Sequence, residues 1–240
     1  MRIDTRLGLS VAALTGLLAI AIPRAAPAQD LVSVAPAAAT VEYEDARIRV
    51  VRLRMAANTS SAMHDRPRRV VIPLTENDVR ITRENGAVGT TQVPAHRVAW
   101  SEPGKRSVAN LDKPLENVIV EFKTATAPGV PRPAPPSPVP PDYLTEPHHR
   151  WSFENQYVRV YDVRIPPGVT TDFHRHALDA VVVRISSGVV ATQRQGEAWS
   201  EPAKVAAGDA LVDLDSKAPF VHRVRNDGKA EYRVILVQVK

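Results

Sequence analysis

Cysteine is absent from the sequence. No disulfide can brace the fold, and no thiolate can serve as nucleophile or metal ligand, so the chain must hold together by packing alone. An excess of one charge is nearly absent too. The 31 Lys and Arg residues against 26 Asp and Glu give a formal charge of +5, and much of that lies at the start. Setting aside everything before Gln29 removes Arg2, Arg6, Arg24 and Asp4, and the net falls to +3. That excess is too thin for a nucleic-acid or membrane surface, and no basic stripe with interleaved aromatics occurs. Past Ala28 no apolar run approaches the roughly 20 residues that a spanning helix needs. Long helical periodicities are also missing. No G-x-S-x-G elbow, phosphate loop or zinc-protease helix motif is present. Paired carboxylates cannot be singled out, so a glycosidase reading has no support.

The start of the chain has the order of an export signal. Arg2 and Arg6 give a positive beginning, diluted by Asp4. Leu7 to Ile22 is an unbroken uncharged run ended by Pro23, and Ala26-Pro27-Ala28 supplies a small-x-small site. Residues 1–28 are therefore read as a cleavable signal peptide, in preference to an uncleaved anchor. The expected mature protein runs from Gln29 to Lys240 and is soluble and exported, periplasmic or secreted.

A proline tract divides what remains. From Pro128 to Pro141 prolines outnumber all other residues together, a composition that lacks amide donors and favours an extended, semi-rigid spacer. Residues 124–143 are read as a linker. The flanking parts, residues 40–123 and 150–240, are full of short β-branched runs separated by turn residues, which predicts an all-β chain. They are also repeats. Residues 44–86 lie on 154–196 at an offset of 110 with nine identities in 43 positions, among them Glu44/Glu154, Arg49/Arg159, Val50/Val160, His64/His174 and Val71/Val181. After a six-residue slip, Pro103 meets Pro219 and Asn110 meets Asn226. The likeness of Ala99–Pro103 to Ala198–Pro202 sits out of this register and is read as coincidence.

The chemistry is concentrated in the second half. His174 and His176, at i and i+2, point to one face of a strand. His222, far downstream, can complete a set of three imidazoles, the side chains that most often ligate zinc and divalent iron, copper or nickel. The surrounding pattern is Gly168, His174, His176 and Gly188, then Gly208, Pro219, His222 and Asn226. This resembles the cupin superfamily, whose motifs read G-x5-H-x-H-x3,4-E-x6-G and G-x5-P-x-G-x2-H-x3-N. The resemblance covers both halves and implies a bicupin: two small antiparallel jelly-roll barrels in tandem. It implies a divalent metal (Fe, Zn, Mn, Ni or Cu) held by His174, His176 and His222, and a small-molecule ligand or substrate. Cupin barrels commonly pair, so a homodimer would be in keeping.

Two departures bear on function. The family's glutamate falls at residue 180 or 181, where this chain has Ala180 and Val181; Asp179 lies on the opposite face unless a bulge turns it. Arg184 shares the parity of Ala180, as an anchor for a substrate anion or a charge at the barrel mouth. In the first half His64 matches His174, but Arg66 and Arg106 replace His176 and His222. Guanidinium groups stay protonated and offer no lone pair, so no metal is expected there. That half is read as a degenerate barrel kept for packing, with an arginine-lined anion pocket as the alternative. His148 and His149 are read as loop residues after the linker, and the three tryptophans as packing residues rather than sugar platforms. Two functions follow: a metal-dependent oxygenase or isomerase of a small molecule, or a non-catalytic binding or structural bicupin without metal.

Overall fold

A computed structural model describes residues 29–123 and 143–240. The expected signal peptide and the proline tract lie outside the described residues. Among those described, no helix is long and apolar enough to cross a membrane.

The first unit opens with one helical turn, α1 (Leu31–Val34). Its strands are β1 (Ala39–Glu44), β2 (Ile48–Met55), β3 (His64–Arg66), β4 (Arg69–Pro73), β5 (Asn77–Arg83), β6 (Val88–Val93), β7 (Ala99–Ser101), β8 (Gly104–Asn110) and β9 (Leu115–Phe122). The second unit has β10 (His149–Glu154), β11 (Val158–Ile165), β12 (His174–His176), β13 (Ala180–Arg184), β14 (Gly188–Arg194), β15 (Ala203–Val205), β16 (Ala210–Asp213), β17 (Phe220–Asn226) and β18 (Tyr232–Val239). The sheets run β1-β2-β9-β4-β7 and β3-β8-β5-β6 in the first unit, β10-β11-β18-β13-β16 and β12-β17-β14-β15 in the second. All the strand pairs are antiparallel. The chain is thus the pair of all-β, double-sheet barrels that the repeat predicts.

The longest strands are apolar on both faces because both faces are buried. In β11, Tyr161, Val163 and Ile165 face the second barrel's interior, while Val158 and Val160 face the other unit. Strand β2 divides in the same way, with Val51, Leu53 and Met55 inside and Ile48 and Val50 outside. The two five-stranded sheets therefore pack outer face to outer face in one shared core, Val50, Val118 and Val120 against Val160, Val181 and Val237. Such two-sided burial replaces apolar/polar alternation by near-continuous apolar runs. Trp100 stacks on Tyr157 across this core, 5.4 Å between centroids and 13° between planes. At its edge Arg47 donates to Asp179 at 2.8 Å and to the Lys240 carbonyl at 3.2 Å, and Arg52 donates to the Gly208 carbonyl at 2.6 Å.

The hydrogen-bond register refines the repeat. His64 pairs with Arg106 as His174 pairs with His222, so the 110 offset holds through β3 and β12. Beyond them it becomes 111: Val71 pairs with Ile119, and its counterpart beside Leu236 is Val182. One extra residue between β12 and β13 shifts the frame, so the Val71/Val181 and Val79/Val189 identities are out of register. Both units carry the same bulge, between Val41 and Tyr43 and between Trp151 and Phe153. The look-alike segments around Trp100 and Trp199 occupy different places, β7 and the stretch between β14 and β15.

Val160 has no exposed surface. Val160→Asp is expected to lower stability by about 3 kcal/mol or more, the cost of an unpaired charge in the shared core. Val88→Asp, at a residue 60% exposed, should stay within about 0.5 kcal/mol of wild type. Chemical denaturation of the full chain compares the two; equal losses would mean that the sheets do not pack on each other.

Candidate metal centre

The second barrel gathers its histidines from three strands. His174 and His176 project inward from β12, and His222 on β17 lies directly across from His174. Ring centroids are 4.7 Å apart for His174 and His222, 4.7 Å for His176 and His222, and 5.1 Å for His174 and His176. The three residues singled out in the sequence thus converge. A fourth joins them. His149 opens β10, its ring centroid 4.4 Å from that of His174. Ligand atoms of His149, His174 and His176 all lie within 4.8 Å of one another. His222 is outside that trio, yet its Nε2 stands 3.1 Å from Nε2 of His176. His149 is therefore not the loop residue expected from its place after the proline tract.

The rings are oriented through Nδ1. His149 Nδ1 donates to Glu146 at 2.7 Å, and His174 Nδ1 donates to the Asp172 carbonyl at 2.8 Å. His176 Nδ1 lies 3.2 Å from Asp215, close but out of hydrogen-bond alignment. His148 caps the other oxygen of Glu146 at 2.5 Å. A carbonyl or carboxylate on Nδ1 fixes the tautomer and leaves the Nε2 lone pair for the interior, the arrangement usual behind metal-ligating histidines. Nε2 of His174 is buried with no hydrogen-bond partner. An orphaned buried acceptor facing other imidazoles is what an all-nitrogen metal site provides.

Burial favours the neutral form of His149, His174 and His222. Burial, with the neighbouring His149, pushes His174 down to about 3. Burial, with His176 and His174, pushes His222 down to about 2. His149 is lowered as well, because burial outweighs the pull of Glu146. Burial acts to raise Glu146, but hydrogen bonds from His149 and His148 prevail and hold it at about 2. One of the facing Nε2 atoms of His176 and His222 carries the proton of their 3.1 Å hydrogen bond; the tautomer with that proton on the same ring's Nδ1 leaves both Nε2 lone pairs free.

A cavity of about 190 Å³ opens beside the histidines, with Val182, Val190, Val224 and Leu236 among its walls. Ala180, in register with the family's glutamate, is buried beside Asp213 of β16 and Gln238 of β18. Asp213 is the one carboxylate among the described lining residues. Asp179 does not turn inward: its carboxylate accepts from Arg47 and from Ser216. Arg184 lines the cavity with Nη1 tied to Asp209 at 2.8 Å. Asn226 is structural, donating to the Ile165 and Ala230 carbonyls at 2.8 Å each. Gly168 and Gly208 have φ of +73° and +89°, a region costly for residues with a Cβ. The first unit keeps both bends with Asn58 and His96, the two non-glycine residues at positive φ among those described.

Depressed imidazoles make stability depend on pH. Between the folded values of about 2 to 3 and the unfolded value of 6.5, the unfolded chain binds more protons, so stability falls as pH drops through that window. The slope approaches roughly 1.4 kcal/mol per pH unit for each such group. His64, lowered by burial in the first barrel, acts in the same direction. The metal-free protein should lose Tm steadily from pH 7 to pH 5, with a shallower fall in His222→Gln. A flat profile would contradict the neutral cluster.

No family model matches the sequence, and no curated protein matches it significantly. Solved structures do match in fold. A cupin 2 conserved barrel domain protein from Leptotrichia buccalis superposes with a TM-score of 0.52 at 12% identity, over 84% of this chain and 88% of that one. AerE from Microcystis aeruginosa gives 0.55 at 10%, over 85% and 97%. A point mutant of salicylate 1,2-dioxygenase from Pseudoaminobacter salicylatoxidans, in complex with gentisate, gives 0.53 at 12%, over 80% and 68%. At such identities the likeness concerns the fold alone: this chain has the cupin fold, built twice.

Proposed function

We propose that the chain is an exported cupin-fold protein whose second barrel holds one divalent transition metal and acts there on a small molecule, as an oxygenase or isomerase. His174, His176 and His222 are the ligands read from the sequence, and His149 joins them as a fourth imidazole. The observation that carries this reading is the set of converging rings, with Nδ1 of His149 and His174 anchored and Nε2 of His174 buried and unpartnered. Imidazole donors suit iron, zinc, copper, nickel or manganese to differing degrees, so the metal's identity is left open. When bound, such an ion supplies Lewis acidity or activates a ligand beside it. The oxygenase branch is in keeping with the salicylate dioxygenase among the fold relatives.

The chain's own residues define the remaining chemistry. Glu146 holds the His149 ring and fixes its proton on Nδ1. The apolar wall formed by Val182, Val190, Val224 and Leu236 keeps water from the substrate side. Asp213 is placed to exchange a proton with a substrate in the cavity, its carboxyl raised by burial and by Asp215. Arg184, partly neutralised by Asp209, gives a positive rim for a polar substrate group. A non-catalytic barrel without metal is the competing reading, and Ala180 in the glutamate position favours it.

Metal content of the full-length protein recovered from the exported fraction discriminates between the two. Near-stoichiometric metal in wild type and loss in His176→Ala are expected. In His149→Ala metal should be retained more weakly than in wild type, and in Glu146→Gln affinity should fall about 10- to 100-fold, the usual effect of removing an orienting partner. Absence of metal in every form, after reconstitution with each candidate ion, would leave the binding-barrel reading.

A further inference from the structure

The first barrel has lost the metal ligands but not the space between its sheets. A cavity of about 300 Å³ occupies its interior, room for roughly ten waters. Its lining combines apolar side chains, Leu53, Met55, Val79, Ile81 and Ile119 among them, with Arg66, Arg69, Arg97, Arg106 and His64. No Asp or Glu is among the described lining residues.

The arginines differ in how they are satisfied. Arg69 is only 1% exposed. Its Nη1 lies 3.2 Å from Oε1 of Glu121, whose Oε2 accepts from both Nε and Nη2 of Arg49, and its own Nη2 has no partner. Arg106 donates weakly to Ser101 at 3.3 Å, while its buried Nε has no partner. His64 donates from Nδ1 to the Ala62 carbonyl at 2.8 Å, and burial lowers its pKa, which favours the neutral ring. Among the groups around the cavity, Glu121 balances Arg69, with Asp30 sharing Arg49. Arg106 has no carboxylate against it among the described ion pairs. Toward solvent, Arg66 and Arg106 also border an open groove with Arg83, Lys105, Glu84 and Glu102. Glu102 is engaged by the Trp100 indole at 2.5 Å and by Arg68 at 3.8 Å.

We infer that the first barrel is a binding site for a small, largely apolar carboxylate, its anionic group held by Arg69 and Arg106 and its hydrocarbon by the apolar wall. A buried guanidinium donor without a partner is costly, and an anion is the complement that satisfies two at once. Phosphate-type anions fit less well, because they would leave the apolar lining residues without a partner. The site stands apart from the proposed metal centre and does not depend on it.

Titration calorimetry on full-length protein, with metal removed by chelation, tests this with hexanoate and benzoate as probes and hexanol and benzamide as uncharged controls. Saturable binding of one equivalent of either carboxylate at millimolar concentration is expected, with no binding of the controls. Arg106→Gln should weaken it about tenfold or more, as for one lost charge-assisted hydrogen bond. Arg66→Gln, at the mouth, serves as a second variant should Arg106→Gln fold poorly. Arg54→Gln, at a side chain 64% exposed, and His176→Ala should bind as wild type does. Binding of neither carboxylate, equal binding by both barrel variants, or loss confined to His176→Ala would overturn the inference, the last by locating the carboxylate in the second barrel.

Discussion

The structure depends on burial of two five-stranded sheets on both of their faces. Strands β2 and β9 of one barrel and β11, β18 and β13 of the other each present one apolar row inward and one to the partner sheet, while β4 gives Val70 and Ile72 to the shared core and turns Arg69 toward its own interior. A barrel of either half's size buries a smaller fraction of its surface than a larger domain does, and no disulfide is available to brace it. Sharing a third apolar layer supplies what each lacks. The arrangement also leaves the smaller sheets, β3-β8-β5-β6 and β12-β17-β14-β15, free of that duty. Those sheets carry His64, Arg106, His174, His176 and His222, so chemistry varies on one side while packing is kept on the other.

Much of this is legible in the sequence because periodicity reports burial directly. The β-branched runs and their repetition predict two like all-β units. Parity and the family resemblance together pick out the same-strand pair His174 and His176 with distant His222, and the β12–β17 ladder brings them together. His149 escapes such reasoning because its signal is not periodic: it opens a strand just after the linker, and its counterpart in the first unit, beside Leu53, is Ala39. Only Glu146, three residues earlier, marks it, and that relation gains meaning once both are buried. The one-residue frame shift is hidden because valine on both faces of a doubly buried strand makes neighbouring registers look alike. The positive-φ bends are hidden in the first unit by Asn58 and His96, where only the second unit has the glycines that name such bends.

Asp179 illustrates a limit of reasoning by parity alone. Sequence places it one residue from the inward position, and alternation correctly turns it away from the histidines. Where it goes is a matter of tertiary context: its two oxygens meet Arg47 of the other unit and Ser216 of its own. A carboxylate next to a metal motif is here part of the seam between barrels. The inward position itself holds Ala180, next to Gln238, while the corresponding pair in the first unit is Arg69 and Glu121. The same two ladder positions thus carry either an ion pair or a neutral pair.

That substitution pattern links the two interiors. In the second barrel no carboxylate from β13 faces the four inward imidazoles, so a divalent metal held among them would meet nitrogen donors, with Asp213 the one carboxylate among the described residues lining the cavity. In the first barrel Arg66 and Arg106 stand where His176 and His222 stand, and Arg69 where Ala180 does. Guanidinium groups cannot ligate, yet they put fixed positive charge at the same point of the fold. With the proposed metal in place, both barrels would present a cationic centre against an apolar wall, one by coordination and one by covalent charge. The ligand class proposed for each follows from that centre: a small molecule with an electron-rich polar group at one end and hydrocarbon at the other. On this proposal, divergence of the repeat has changed how the charge is supplied while leaving its place in the barrel unchanged.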